Sequence, residues 1–250
     1  MWVSWDRDPV GVQIKSEINL IFYFNHKIMG LLANKRIHTC NPVIGCTFGC
    51  RYCFAKDFNN RYHFVKDFKC PEERPDALKS IKVGVPKTFF MDSMSDIADW
   101  REDYREDVFN EMRKHPQHKY FALTKRPLML SGFNCSDMKN VWIGVSVTMK
   151  SDVHRIEELR KSVKASHYCV YFEPILGDIG PINLTGIDYI VIGAETGRAF
   201  GKVKPQASWV LSIVDQADKY NVPVMMKDSL AKAKVFKEED LRQDYLPVFV

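Results

Sequence analysis

Three cysteines fall within eight residues of one another, Cys46, Cys50 and Cys53, spaced C-x3-C-x2-C. Thiolates at that spacing can curl around one inorganic cluster, and Gly45 and Gly49 free the backbone to make the turn. Thiolate ligands are what iron–sulfur clusters require. A closed electron-transfer cluster takes a fourth ligand, whereas three leave one iron open to chelate a small molecule. Tyr52, just before the last cysteine, completes the usual C-x3-C-x-aromatic-C form. It is placed to shield the cluster or to pack near a bound adenine; the plainer alternative is a core tyrosine.

The competing chemistry for the same cysteines is a structural zinc site. Zinc takes four ligands, and Cys40, Cys70, His38 or His63 could supply the fourth. Seven cysteines, an odd number with three crowded together, fit a reducing compartment and a metal site better than a disulfide framework. In radical enzymes the molecule taken by an open iron is S-adenosylmethionine, held through its amino and carboxylate groups.

The elements that must position this loop are legible as alternation. Short apolar runs of strand type occur at Arg36–Cys40, Lys87–Met91, Lys119–Leu123, Val141–Val147, Cys169–Phe172, Tyr189–Ile192 and Val222–Met226. Polar, helix-periodic stretches lie between them at Glu102–Lys114, Val153–Val163 and Ser208–Tyr220. Strand followed by helix predicts a parallel sheet, and runs apolar on both sides predict that both faces are covered. The expected fold class is α/β, a partial (β/α)6-7 barrel of parallel strands over residues 36–232, with a doubly wound sheet as the alternative. Residues 1–35 are expected to be an N-terminal extension, within which Val10–Phe24 reads as strand or short helix and Met29 as a candidate start. Residues 233–250 are expected to be a tail packed on the barrel.

The strand ends carry polar groups. The run TFFM ends at Asp92 and Ser93, FAL at Thr124, Lys125 and Arg126, WIGV at Ser146 and Thr148, YF at Glu173, IVIG at Glu195, and VMM at Lys227 and Asp228. Barrel enzymes place their chemistry at the C-terminal ends of strands, so these groups are expected to converge on one mouth. The plainer alternative is that polar residues mark where strands stop. Asp96 also reads as a helix cap, and Glu173 before Pro174 as a brace for a turn.

Bulk composition limits the remaining choices. A chain of 250 residues that is 46% hydrophobic can bury a core without disulfides. The net charge of +5 permits a polyanionic partner without requiring one. The most apolar early stretch, 18–32, is interrupted by Asn19, Asn25, His26 and Lys27, which makes it a poor membrane span. It also lacks the pattern of a signal peptide. The expected location is cytoplasmic, with no membrane partner.

The strings TCNPVIGCTFGCRYCFA, FMDSMSDIADW, FALTKRP, VWIGVSVT, YFEPILGDI, IVIGAETG, KPQASWV and VPVMMKDSL, over about 36–230, closely resemble a phage-associated, radical SAM-like family of largely unknown function. More distantly the chain is similar to the radical SAM superfamily that includes spore photoproduct lyase. Cys40 departs from the pattern, since relatives show an aromatic residue before Asn-Pro, and residues 1–28 lie outside it.

The resemblance implies a [4Fe–4S] cluster on Cys46, Cys50 and Cys53 and S-adenosylmethionine as cofactor. It places Ser93 and Asp96 at the methionine amino group, Ser146 at a ribose or carboxylate contact, and Gly193, Ala194 and Glu195 beside adenine. Glu173 and Glu195 would line the mouth beside a 5′-deoxyadenosyl radical, which abstracts hydrogen from a substrate. Lys227, with Lys125 and Arg126, would meet a substrate anion. A reducing electron donor is an implied partner.

For the substrate, basic and aromatic residues alternate after the cysteines at Arg51, Phe54, Lys56, Phe58, Arg61, Tyr62, His63 and Lys66. That mixture suits phosphate contact with base stacking and points to a nucleobase, nucleotide or DNA. A small molecule or peptide substrate, and a non-catalytic iron–sulfur or zinc protein, are the alternatives.

Overall fold

A computed structural model of the chain describes residues 37–196 and 202–244. The expected N-terminal extension, with Val10–Phe24 and Met29, lies outside the described residues.

Seven parallel strands form one sheet: β1 (Ile37–Thr39), β2 (Thr88–Phe90), β3 (Lys119–Thr124), β4 (Val141–Ser146), β5 (His167–Phe172), β6 (Tyr189–Ile192) and β7 (Val224–Met226). They neighbour one another in chain order from β1 to β7. Sequential order without a reversal produces a sheet that curls in one direction, here a half-barrel, and the doubly wound alternative is thereby set aside.

Strands β2 to β7 carry no exposed residue, as their apolar runs imply, whereas all three residues of the edge strand β1 are exposed. On one face Phe89, Tyr120, Ile143, Val170, Ile190 and Val224 join the main core. On the other Phe121, Trp142, Cys169, Tyr189, Val191 and Met225 form a second cluster, with Phe90, Leu123 and Tyr171 packed against it. Registers such as Phe89↔Tyr120 and Val170↔Ile190 keep each set on its own side.

The helices cover the first face. Following α1 (Phe54–Tyr62) come α2 (Glu102–Arg113), α3 (His154–Ser162) and α4 (Ala207–Lys219). In α2, Val108, Phe109 and Met112 are buried; in α3, Ile156 and Leu159; in α4, Val210, Ile213 and Ala217. These i, i+3, i+4 sets are the stripes that the periodicity predicted. Glu102 and Asp103 in the first turn of α2 and Arg113 in its last turn also complement the helix dipole.

The helical layer is thinner than the expected six or seven repeats. The β3–β4 connection contains only a short 3-10 turn, Pro127–Leu130, and a short strand, Phe133–Cys135, which pairs with Val163–Ala165. The β5–β6 connection contains no helix. Residues 174–188 carry three glycines and two prolines, which cannot sustain one. Ile175, Ile179, Ile182, Leu184 and Ile187 bury themselves against the core instead.

Beyond β7, the short helix α5 (Asp228–Lys232) leads into a segment that returns along the sheet edge. Met226 N–H donates to the Arg242 carbonyl, Asp244 N–H donates to the Val224 carbonyl, and Leu241 is buried in the main core. Among the described residues no helix is long and apolar enough to cross a membrane.

Candidate functional site

The long β1–β2 connection carries the cysteine loop across the C-terminal end of the half-barrel. Gly45 has φ +114°, and a Cβ there would come within 2.8 Å of the Pro71 Cα, so both backbone freedom and space restrict the position to glycine. Gly45 N–H donates to the Met94 carbonyl at 3.0 Å, and Cys46 N–H to the Phe68 carbonyl at 2.7 Å. Cys53 caps α1: its Sγ accepts from Lys56 N–H at 3.3 Å. Backbone donors and the helix dipole there favour negative charge on that sulfur.

The sheet holds the loop at three further points. Thr47, the residue after Cys46, donates through Oγ1 to Asp99 at 2.7 Å and through N–H to the same carboxylate at 3.0 Å. Arg126, at the end of β3, pairs with Asp99 at 2.6 Å and donates to Thr47 Oγ1 at 2.7 Å. Burial pushes the Asp99 carboxyl up, but hydrogen bonds from Arg126 and Thr47 together outweigh it and hold it below the usual range. Phe48 lies between two guanidinium groups, Arg126 at 5.8 Å and Arg155 at 5.5 Å from its ring centre. From the far side Arg51 reaches Glu195, after β6, at 3.4 Å.

Beneath the loop is a cavity of about 540 Å³. Cys46, Cys50, Cys53 and Tyr52 line it from above. Strand ends line it from below and around, with Asp92, Ser93 and Asp96 after β2, Thr124 and Lys125 at β3, Ser146 at β4, Glu173 after β5, Ala194 and Glu195 after β6, and Lys227 after β7. Apolar walls come from Ile37, Phe48, Phe68, Phe90, Leu123 and Tyr171.

Several of these groups are already engaged. Ser93 Oγ donates to Asn41 Oδ1 at 3.0 Å, and Met94 N–H donates to the same oxygen. Asp96 accepts from Ala98 N–H and, through Oδ2, from Lys125 N–H at 3.0 Å. It therefore acts as the cap that its sequence context suggested, with lone pairs left over on both oxygens. Glu173 Oε1 meets Lys227 Nζ at 2.6 Å. Gly193 is not on the cavity wall. A Cβ there would lie 2.9 Å from the Glu173 carboxyl, so its contribution is the space that lets Glu173 reach Lys227.

Two carboxylates present unsatisfied atoms. Asp92 Oδ2 accepts from Leu123 N–H at 2.9 Å, while Oδ1 is buried without a hydrogen-bond partner in good geometry. Burial pushes the Asp92 carboxyl well above the usual carboxylate range, which favours its protonated form. Glu195 Oε2 accepts from Arg51 and from Val203 N–H, and Oε1 is buried and unpartnered. Burial also pushes the Cys46 thiol up to about 12 and raises Cys53, so both need a cationic partner to be stable as thiolates. Burial pushes the Tyr52 phenol up as well, with Cys50 beside it adding to the rise.

The four remaining cysteines point elsewhere. Cys40 is buried in the main core with Sγ toward the Ala77 carbonyl, Cys135 joins it there, Cys169 belongs to the second cluster, and exposed Cys70 faces Asp67. His38 packs on Phe89. Among the described residues no three His, Cys, Asp or Glu side chains gather closely enough to hold a single metal ion. This holds for Cys46, Cys50 and Cys53 as well as for any set that adds Cys40, Cys70, His38 or His63. Cys46, Cys50 and Cys53 share one cavity wall.

The sequence did not single out Asn41, Thr47, Asp99 or Tyr171. Thr47 and Asp99 lacked any signal, because their roles exist only once the loop lies over β3. Asn41, immediately before Pro42 and the loop, had a position that could have been noticed.

No curated protein and no solved structure matches the chain. A family model described as "Protein of unknown function (DUF5131)" matches residues 35–241, which include every strand and every residue of the cavity wall. The chain therefore belongs to the DUF5131 family of proteins of unknown function.

Proposed function

We propose that this protein is a radical S-adenosylmethionine enzyme. Cys46, Cys50 and Cys53 would hold a [4Fe–4S] cluster, and S-adenosylmethionine would lie in the cavity below it. The observation that carries this reading is the common wall: the C-x3-C-x2-C thiols and the polar ends of β2 to β7 border one space. The motif resemblance to the radical SAM superfamily supports it. When bound, the pair would supply one-electron reductive cleavage of the sulfonium and hydrogen abstraction from a substrate.

The chain's own residues supply orientation, charge and exclusion of water. Arg126, Asp99 and Thr47 fix the loop that bears the thiols. Ser93, anchored by Asn41, and the free lone pairs of Asp96 are arranged for an ammonium group. Ser146 and Ala194 border the part of the cavity left for ribose and base. Asp92, when protonated, can donate a hydrogen bond through its unpartnered oxygen. Lys125, which makes no ion pair with a described residue, and Lys227, shared with Glu173, offer cations to a substrate anion. Phe48, Phe68, Phe90 and Tyr171 keep bulk water away from this space.

Metal analysis after anaerobic reconstitution tests the proposal. The expected result is a brown protein with iron and sulfide in equal amounts, lost in Cys46→Ala, Cys50→Ala and Cys53→Ala but retained in Cys70→Ala. A colourless protein that takes up zinc alone would contradict it.

A further inference from the structure

Large aromatic side chains usually hide, yet four stand exposed on α1 and just beyond it, beside the cavity. Phe54, Phe58 and Tyr62 follow one another at intervals of four residues along α1, so they share one face. They are 50%, 48% and 49% exposed, and Phe64 just beyond the helix is 41% exposed. The rings of Phe58 and Tyr62 lie 4.8 Å apart, and Phe64 lies 6.3 Å from Phe58 and 5.9 Å from Tyr62. Phe54 also lines the cavity, so the stripe begins at the mouth and runs outward for about 12 Å at helical rise.

The same segment is basic. Between residues 51 and 69, Arg51, Lys56, Arg61, Lys66 and Lys69 are exposed, against only two acids, Asp57 and Asp67. Lys56, Arg61, Lys66 and Lys69 make no ion pair with a described residue, and Arg61 lies 5.2 Å from the centre of the Tyr62 ring. Protein-binding patches concentrate aromatics in a core from which charges are depleted. Here cations and rings alternate, the arrangement that tracks a phosphate backbone while bases stack.

The geometry points to this surface as a platform for single-stranded nucleic acid, leading one nucleotide toward the cavity. Stacked bases occupy the Phe58, Tyr62 and Phe64 rings, and Lys56, Arg61, Lys66 and Lys69 meet phosphates. The proposal rests on the radical enzyme reading only in taking the cavity as the reactive site; binding itself needs no cofactor.

Fluorescence anisotropy with labelled single-stranded DNA, single-stranded RNA and duplex DNA, using the full chain without S-adenosylmethionine, tests it. Either single strand should bind more tightly than duplex, and affinity should fall steeply with salt, by a log–log slope of about −0.7 per phosphate contacted. Phe58→Ala with Tyr62→Ala should weaken binding roughly tenfold or more. Lys56→Ala with Lys66→Ala should weaken it and make the salt slope shallower. DNA and RNA arms that differ would tell which strand is the partner. Absence of binding at low salt, or aromatic variants that bind like the parent, would overturn the proposal. So would a dilution-sensitive dimer abolished by Phe58→Ala in a protein that ignores oligonucleotides, since that would assign the patch to a second copy. Because iron content and cofactor cleavage are read separately, failure here leaves the radical chemistry standing, and the reverse.

Discussion

At the scale of single residues, the cavity is defined by what its groups already bind. Asp92 is fully enclosed, with one oxygen satisfied by Leu123 N–H and the other unpartnered. Its carboxyl is held well above its ordinary value of 3.8, so the folded chain keeps a proton that the unfolded chain releases. The sign follows: its contribution to stability is fully present below the unfolded value and is lost as pH rises toward the folded one. Asp92→Asn retains the acceptor for Leu123 and removes the titration. Urea unfolding of the cluster-free protein from acid to neutral pH should show a flatter dependence in this variant, by at most about 1.4 kcal/mol per pH unit. An identical pH dependence in parent and variant would mean that Asp92 is ionised when folded.

Glu173 and Gly193 form a second residue-scale device, because the carboxylate reaches Lys227 across a position that has no Cβ. Gly193→Ala should cost about 1–3 kcal/mol by crowding that carboxylate. Much of the loss should disappear when Glu173→Ala is added, giving a clear coupling in a double-mutant cycle. Simple additivity of the two changes would show that the close approach carries no energy.

At the scale of elements, strands and helices were legible and the ties between them were not. Strands buried on both faces read as apolar runs, most cleanly β4, β6 and β7, while exposed β1 (Ile-His-Thr) does not; helices with one buried stripe must be periodic. The polar residues that end those runs were readable as a set, and most line the cavity, but Gly193, Arg126, Thr148 and Asp228 do not: Arg126 pairs with Asp99, Thr148 bonds to Asp152 and Asp228 pairs with Lys232. What no run or period encodes is pairing at a distance. Thr47 and Arg126 are 79 positions apart, and Arg51 and Glu195 are 144 apart. The resemblance places Gly193 beside adenine, and no run or period shows that a Cβ there would meet the Glu173 carboxyl, which comes from another strand. The missing helix between β5 and β6 was legible in principle from its glycines and prolines.

The Arg126–Asp99–Thr47 tie yields an element-scale prediction. Arg126→Gln strands a nearly buried Asp99, and the loss should approach about 3 kcal/mol. Iron retention after gel filtration should drop with it, while Arg126→Lys should recover part of the stability and less of the retention, since a lysine cannot bridge Asp99, Thr47 and Phe48 together. By contrast Ile213→Ala in α4, on the opposite layer, should cost about 2–5 kcal/mol without altering iron content per folded chain. Equal iron loss in the two variants would show that retention merely follows global stability.

At the scale of the whole molecule, one face of a curled sheet is closed by helices and the other holds a small apolar plug beneath a cavity. The cysteine loop caps that cavity and is fastened to β2, β3 and β6, so its three sulfurs are presented to the same space as six strand ends. The family match covers this entire assembly, and the aromatic, basic face of α1 opens from its rim.

The most direct test of the central claim is anaerobic incubation of the reconstituted protein with S-adenosylmethionine and dithionite, followed by chromatography for 5′-deoxyadenosine. 5′-Deoxyadenosine and methionine should form together, and Cys50→Ala should form neither. Protein that holds an intact iron–sulfur cluster yet leaves S-adenosylmethionine uncleaved would contradict it.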